Sequence, residues 1–208
     1  MTTLGAKCFV SAKFWGRKRV DRTNREYDII NSMKKVILKC KLKNRDGFED
    51  KLSDIDLDFG AMYWQHDRVY IPKNYKPHSN FPRLIMRTEM KSVDKPAKYY
   101  FILKRHIEDS GIDVVETTII QDYEKLVNII LQLGFKLEKE VSRRRQDLKM
   151  GEGTYIYLDK VEGVSGYYAK IESNLTEQDS VAEARIDLEK TFQTLGESNF
   201  VNNPYFEL

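Results

Sequence analysis

The sequence predicts an α+β fold in which about eight mostly antiparallel strands close into a barrel, with helices packed outside it. Short segments with period-2 alternation recur along the chain, and turn residues or a helix separate them. Several of these segments place Lys or Arg on one face and apolar residues on the other. Two helical segments both end in Leu-Gly, at Leu133-Gly134 and Leu195-Gly196. Hairpin-linked strands in this number often close into a barrel, because closure removes exposed edges.

The first half of the chain supplies five predicted strands and one helix. The first strand is unusual, because Lys35, Lys39 and Lys41 crowd one face while apolar side chains occupy the other. The predicted strands cover residues 35–42, 63–71, 83–90, 98–106 and 113–120, and the helix covers residues 48–59.

The second half begins with a helix, for which Asp122 is the predicted N-cap, Leu133 the end and Gly134 the terminating residue. A last helix is predicted to begin at Thr176 as its cap and to end at Leu195. Between the two helices, strands are predicted for residues 141–148, 154–159 and 166–173.

Composition limits the classes of function. The formal net charge of +3 over 208 residues is too small to indicate nucleic-acid binding, and no apolar run is long enough to span a bilayer. Two cysteines imply no disulfide framework and fit a reducing, cytoplasmic compartment. Residues 1–33 are predicted to be a basic N-terminal extension of a single domain at 34–208, and a homodimer is possible.

The apolar stripes of the long helices must be buried, and the apolar strand faces are their natural partners. If helices cover the outside of the barrel, the charged strand faces line its interior. The alternative is that the charged faces point to solvent and the apolar faces fill the barrel. The charged faces carry nine basic residues, Lys35, Lys39, Lys41, Arg83, Arg87, Lys104, Arg143, Arg145 and Lys170, and four acidic ones, Glu89, Glu116, Asp159 and Glu172.

An interior dominated by Lys and Arg would attract polyanions, because such a lumen focuses positive potential. Arg binds phosphate oxygens in a bidentate manner and Lys acts as a point charge. Any divalent ion would be held by the few acids together with the ligand's phosphates, as is typical of Mg²⁺.

From residue 34 to the C-terminus the chain resembles the CYTH family, also called triphosphate tunnel metalloenzymes, and most nearly its class IV adenylate cyclases. Six segments carry the resemblance in matching order. They are residues 65–70 (QHDRVY), 83–87 (RLIMR), 102–104 (ILK), 115–117 (VET), 141–145 (VSRRR), and 158–172, which contains LDKVEG and GYYAKIE.

The chain also departs from the family pattern. The family's Glu-x-Glu-x-Lys strand, whose glutamates help to bind the catalytic metal, reads Lys35-Val36-Ile37-Leu38-Lys39 here. The resemblance implies that Glu116, Asp159 and Glu172 are the remaining candidate metal ligands, for Mg²⁺ or Mn²⁺ if the protein is catalytic. Together with Lys170 from the charged strand faces, the predicted phosphate-binding set is Lys39, Arg87, Lys104, Arg143, Arg145 and Lys170.

Two functions therefore remain open. One is a binding protein that holds a nucleotide, cyclic nucleotide or polyphosphate in a basic lumen with little or no catalysis. The other is a metal-dependent adenylate cyclase or triphosphate hydrolase of the CYTH type. The sequence identifies no catalytic residue, and it predicts neither a membrane nor a nucleic-acid partner.

Overall fold

The computed structural model describes residues 33–75, 82–107, 112–176 and 178–201. Within these ranges the chain forms eight strands and three helices. In chain order they are β1 (Met33–Lys41), α1 (Arg45–Ser53), β2 (Tyr63–Pro72), β3 (Arg83–Met90), β4 (Lys98–Ile107), β5 (Ile112–Ile120), α2 (Tyr123–Gln132), β6 (Phe135–Gly151), β7 (Thr154–Val161), β8 (Tyr168–Leu175) and α3 (Val181–Thr194).

The eight strands form one closed barrel in the order β1-β5-β4-β3-β2-β6-β7-β8, and every neighbouring pair is antiparallel. The barrel is closed by pairing of the first strand with the last, from Lys34 opposite Leu175 to Lys41 opposite Tyr168. The predicted fold class is therefore confirmed.

The larger apolar core lies outside the barrel wall, against α1 and α3. The outward residues of β1, including Val36 and Leu38, are buried there with Phe48 and Leu52 of α1. From α3, Phe192 is completely buried in the same cluster. Burial of apolar surface stabilises the fold by roughly 25 cal/mol per Å², so α1 and α3 fix this side of the barrel.

A second, smaller core lies under α2. Ile130 packs there against Tyr70 of β2 and against Leu84 and Met86 of β3, which are buried on the outer face of their strands. Because the apolar strand faces point outward to the helices, the alternate faces point into the barrel. The charged strand faces are therefore internal, as predicted, and the alternative in which they form the outer surface is wrong.

Three predicted helix boundaries were wrong, the first being the start of α1, which begins at Arg45 rather than at Phe48. The first helix ends at Ser53, because Asp56 adopts a left-handed φ of 58° and the amide of Leu57 returns to the carbonyl of Leu52 at 3.0 Å. The last helix is capped by Ser180, whose hydroxyl accepts from the amide of Glu183, rather than by Thr176.

The predicted cap of α2 is confirmed, because the Asp122 carboxylate accepts a hydrogen bond from the Lys125 amide at 3.1 Å. Gly134 follows the helix with a φ of 86°, a backbone conformation that favours glycine.

The strand predicted at residues 141–148 is the central part of β6, a 17-residue strand that pairs with β2 through its first half and with β7 through its second half.

Three sequence predictions lie outside the described residues: the basic extension, almost all of which precedes residue 33, most of the loop after Tyr75, and the tail after residue 201. In the ranges that the structure covers, no helix combines the length and the apolar character needed to cross a membrane.

Candidate functional site

The barrel encloses a cavity of about 340 Å³ whose lining is rich in charge. Among the described residues that line it, eight are Lys or Arg and four are Asp or Glu. Lys35 and Arg83 are two of the basic residues. The other six are the whole predicted phosphate-binding set, Lys39, Arg87, Lys104, Arg143, Arg145 and Lys170.

The three candidate metal ligands do not converge. Glu172 lines the cavity, whereas Asp159 is completely buried beside Arg145 in the barrel wall. Glu116 was wrongly predicted to face the interior: Val115 and Thr117 line the cavity, so the alternation of β5 places Glu116 on the outer face.

Asp67 organises two of the arginines. Its carboxylate accepts two hydrogen bonds from Arg87, at 2.7 and 2.9 Å, and a further one from Nη2 of Arg143. Nε of Arg143 donates to Gln65 at 2.8 Å, and the Gln65 amide donates to Glu89 at 3.3 Å. The network extends across β2, β3 and β6, so both guanidinium groups are fixed in orientation.

Burial alone would raise the pKa of Asp67, but Arg143 and Arg87 outweigh it and hold the pKa well below its usual range. Asp67 is therefore a buried carboxylate with two cationic partners. Charge-assisted, bidentate hydrogen bonds of this kind are among the strongest in proteins.

A second cluster surrounds Glu172 on β8. Lys170 donates to its carboxylate at 3.0 Å, and Lys35 of β1 lies 3.7 Å from its other oxygen. Burial opposes ionisation of Glu172, yet Lys170 and Lys35 hold its pKa below the usual value. Burial lowers the pKa of Lys170 to about 7, with Glu172 opposing the shift and Arg145 adding to it.

The third cluster is centred on Arg145. Its guanidinium donates to both oxygens of Asp159, at 2.6 and 2.7 Å, and lies 4.5 Å from the centre of the Tyr157 ring. The ammonium of Lys170 lies 4.1 Å from the centre of the same ring. Two cationic side chains thus contact one aromatic ring, which stabilises positive charge in this part of the lumen.

The two ends of the lumen differ in chemistry. Because neighbouring strands are antiparallel, the end of β1, the start of β3 and the end of β4 meet at one end of the barrel, which carries Lys39, Arg83 and Lys104. The opposite end, where β2 and β7 begin, carries Tyr63 and Tyr155 together with acidic side chains. A long anion would therefore be attracted more strongly to the first end.

The carboxylates in this lumen are not arranged to bind a divalent metal ion. At the two positions where the CYTH resemblance places metal-binding glutamates, Lys35 and Ile37 face the cavity. Glu172 is already paired with two lysines, and Asp159 with Arg145. In the part of the chain that the structure describes, no three His, Cys, Asp or Glu side chains are grouped so that they could hold a metal ion.

The low pKa values of these carboxylates predict a loss of stability in acid. Asp67 and Glu172 bind fewer protons in the folded state than in the unfolded one, where carboxyl pKa values are about 4. Their stabilising contribution is therefore present above pH 4 and is lost as the pH falls towards the folded-state values. Each group contributes up to about 1.4 kcal/mol per pH unit.

Urea unfolding between pH 2 and pH 6 measures this slope. The variant Glu172→Gln should show a shallower pH dependence than the natural protein over the same range. An unchanged slope would mean that Glu172 is not held in its ionised form by the fold.

Comparison with known proteins supports the fold. No protein-family model and no curated protein matches the chain. Among solved structures, the PH1819 protein from Pyrococcus horikoshii OT3 is 24% identical with a TM-score of 0.72, and the match covers 83% of this chain and 96% of that one. A candidate adenylate cyclase from Vibrio parahaemolyticus is 19% identical with a TM-score of 0.69, covering 83% and 95%.

A third similar structure is the candidate adenylyl cyclase HpAC1 from Hippeastrum, which has a dominant triphosphatase activity. It is 15% identical with a TM-score of 0.54, and the match covers 84% of this chain and 93% of that one. At these identities the likeness establishes a shared barrel fold.

The sequence reasoning missed the residues that organise the basic side chains. Neither Asp67 nor Gln65 was predicted to position the arginines, and Tyr157 was given no role. The alternation along each strand could have identified them. Gln65, Asp67 and Val69 alternate with outward residues of β2, and Tyr155 and Tyr157 do so on β7, which places all five on the inner face of the barrel.

Proposed function

We propose that this chain binds a phosphate-rich anion, a nucleotide, cyclic nucleotide or inorganic polyphosphate, in the lumen of a CYTH-type barrel. The observation that carries the proposal is the convergence of Lys and Arg side chains from five strands on one enclosed cavity. Such a cavity concentrates positive potential, because low-dielectric walls focus the field inside it.

The arginines and lysines have different tasks in this proposal. Arg87 and Arg143 are held in place by Asp67 and present their guanidinium groups with little loss of side-chain entropy on binding. Lys39, and Lys104 in its ion pair with Asp113 at 2.7 Å, supply positive charge towards the basic end of the lumen, where the terminal phosphates would lie.

Turnover is expected to be absent or very slow. A metal ion at the family's position would lie close to Lys35, and a unit charge and Mg²⁺ about 4 Å apart repel by about 8 kcal/mol at an effective dielectric constant near 20. A barrier raised by half of that amount would already slow a reaction by about a thousandfold.

The alternative function is a metal-dependent adenylate cyclase or triphosphate hydrolase. The names of the similar structures from Vibrio parahaemolyticus and Hippeastrum favour it. The two proposals differ in one measurement. Cyclisation or hydrolysis of ATP, or hydrolysis of tripolyphosphate, near one turnover per second with Mg²⁺ would establish the enzyme and reject a purely binding role.

Affinity should rise with the number of phosphates. Calorimetric titration with adenosine, AMP and ATP in EDTA should give increasing affinity in that order, and added salt should weaken the binding of ATP. Charge drives the binding in this proposal, so equal affinity for adenosine and ATP would contradict it.

One strand offers a matched pair of variants for this test. Lys39 lines the cavity, whereas Lys34 is exposed on the outer face of β1. We expect Lys39→Met to weaken tripolyphosphate binding about tenfold, a loss typical of one partly buried charge contact, and Lys34→Met to change it less than twofold.

A further inference from the structure

We infer that the lumen takes its polyphosphate ligand as the metal-free anion and discriminates against the complex of the same ligand with Mg²⁺. This inference rests on the proposed function and adds to it the chemical form of the ligand. Three features of the lumen carry it: the engagement of its carboxylates, the positions of its lysines, and the orientation of its arginines.

Of the four carboxylates among the described residues that line the cavity, those of Asp67, Glu89 and Glu172 are already bound to protein donors. Asp67 accepts from Arg87 and Arg143, and Glu172 from Lys170 with Lys35 close by. Glu89 accepts from Gln65 at 3.3 Å and lies 3.9 Å from the ammonium group of Lys91. A metal ion held by any of these oxygens would have to displace a hydrogen bond or an ion pair.

The lysines around Glu172 occupy the part of the lumen in which a metal ion bound by this carboxylate would lie. Lys39 of β1 lies directly opposite Lys170 of β8. Two residues away on each of these strands, Ile37 lies opposite Glu172. The ammonium groups of Lys35 and Lys170 both contact Glu172. A divalent cation carried in on the ligand would therefore approach fixed positive charges and gain no protein ligand in return.

Chelation also removes what the arginines recognise. Mg²⁺ bound to a polyphosphate occupies phosphate oxygens, retains several water molecules, and reduces the charge of the anion by two. Arg87 and Arg143 need those oxygens free to accept their hydrogen bonds. The lumen therefore gains most from the unchelated anion.

The experiment is a calorimetric titration of tripolyphosphate into the natural protein, first in EDTA and then at rising Mg²⁺ concentration. The ionic strength is kept constant with a monovalent salt, so that screening cannot explain a change. The free-anion fraction sets the apparent affinity by mass action. When about 1% of the tripolyphosphate remains unchelated, we expect the apparent Kd to rise about 100-fold.

The possible results separate the inference from the proposed function. An apparent Kd that is unchanged or lowered by Mg²⁺, or binding that occurs only with Mg²⁺, would overturn the inference while leaving a phosphate-binding lumen. No binding of tripolyphosphate in either condition would overturn the proposed function itself. A titration of Mg²⁺ alone into the protein should give no binding heat, and a measurable site would contradict the inference.

Discussion

The substitution Asp67→Asn is expected to lower the free energy of unfolding by about 3–5 kcal/mol, the usual cost of removing one partner from a buried ion pair. The change keeps the size of the side chain but removes its charge. Arg87 and Arg143, which share this carboxylate, would then repel each other inside the barrel. Urea unfolding followed by circular dichroism measures the loss.

A matched control lies on the outer face of the same pair of strands. Glu140 of β6 pairs with Arg68 of β2 at 2.7 Å, and both side chains are well exposed. Surface pairs of this kind contribute about 1 kcal/mol or less, so Glu140→Gln should change stability little. Equal effects of the two substitutions would show that the Asp67 network does not hold the barrel together.

The second large effect is expected from the triple substitution Lys35→Glu, Ile37→Glu and Lys170→Glu, which restores the acids of the family pattern. The three positions face the cavity beside Glu172. The change removes up to five units of positive charge from the lumen, the full five when Lys170 is protonated. We expect tripolyphosphate affinity in EDTA to fall at least about 100-fold, or by about 2.7 kcal/mol, and Mg²⁺ to restore part of it.

Lys34 and Arg144 are the control positions, because both are exposed on the outer face of the barrel. The double variant Lys34→Glu, Arg144→Glu also makes the protein more negative. The affinity of this variant for tripolyphosphate should change only slightly and in a salt-dependent manner. If the triple variant bound tripolyphosphate as tightly as the natural protein in EDTA, the lysines would not be part of the binding site. Circular dichroism checks that each variant is folded.

Much of the barrel could be predicted because period-2 alternation fixes both the strand and its inward face. On β1 the alternation of Val36 and Leu38 with Lys35 and Lys39 was sufficient to assign the core face and the lumen face. The same rule was misapplied at Glu116, which was counted with the charged strand faces although Val115 and Thr117 have the inward phase.

The partners of the basic residues could not be predicted from a single strand. Arg145 meets Asp159 because β6 and β7 pair in a particular register, and Asp67 meets Arg143 because β6 also pairs with β2. Register depends on turns and bulges, such as the shift between Val69 and Tyr70, that local patterns do not encode. Charged strand faces therefore indicate a lumen, while its internal salt bridges require the three-dimensional structure.

Closure of the barrel by β1 and β8 has a consequence for the order of events during synthesis. The partner of Lys34 is Leu175, which leaves the ribosome roughly 140 residues later, and at 5–20 residues per second this takes on the order of ten seconds. During that time the edge of β1 that pairs with β8 is open, and α3 is not yet present to complete, with α1, the cover over Val36 and Leu38. The nascent first strand is thus an exposed apolar edge, the kind of segment that chaperones protect and that promotes aggregation when translation stalls.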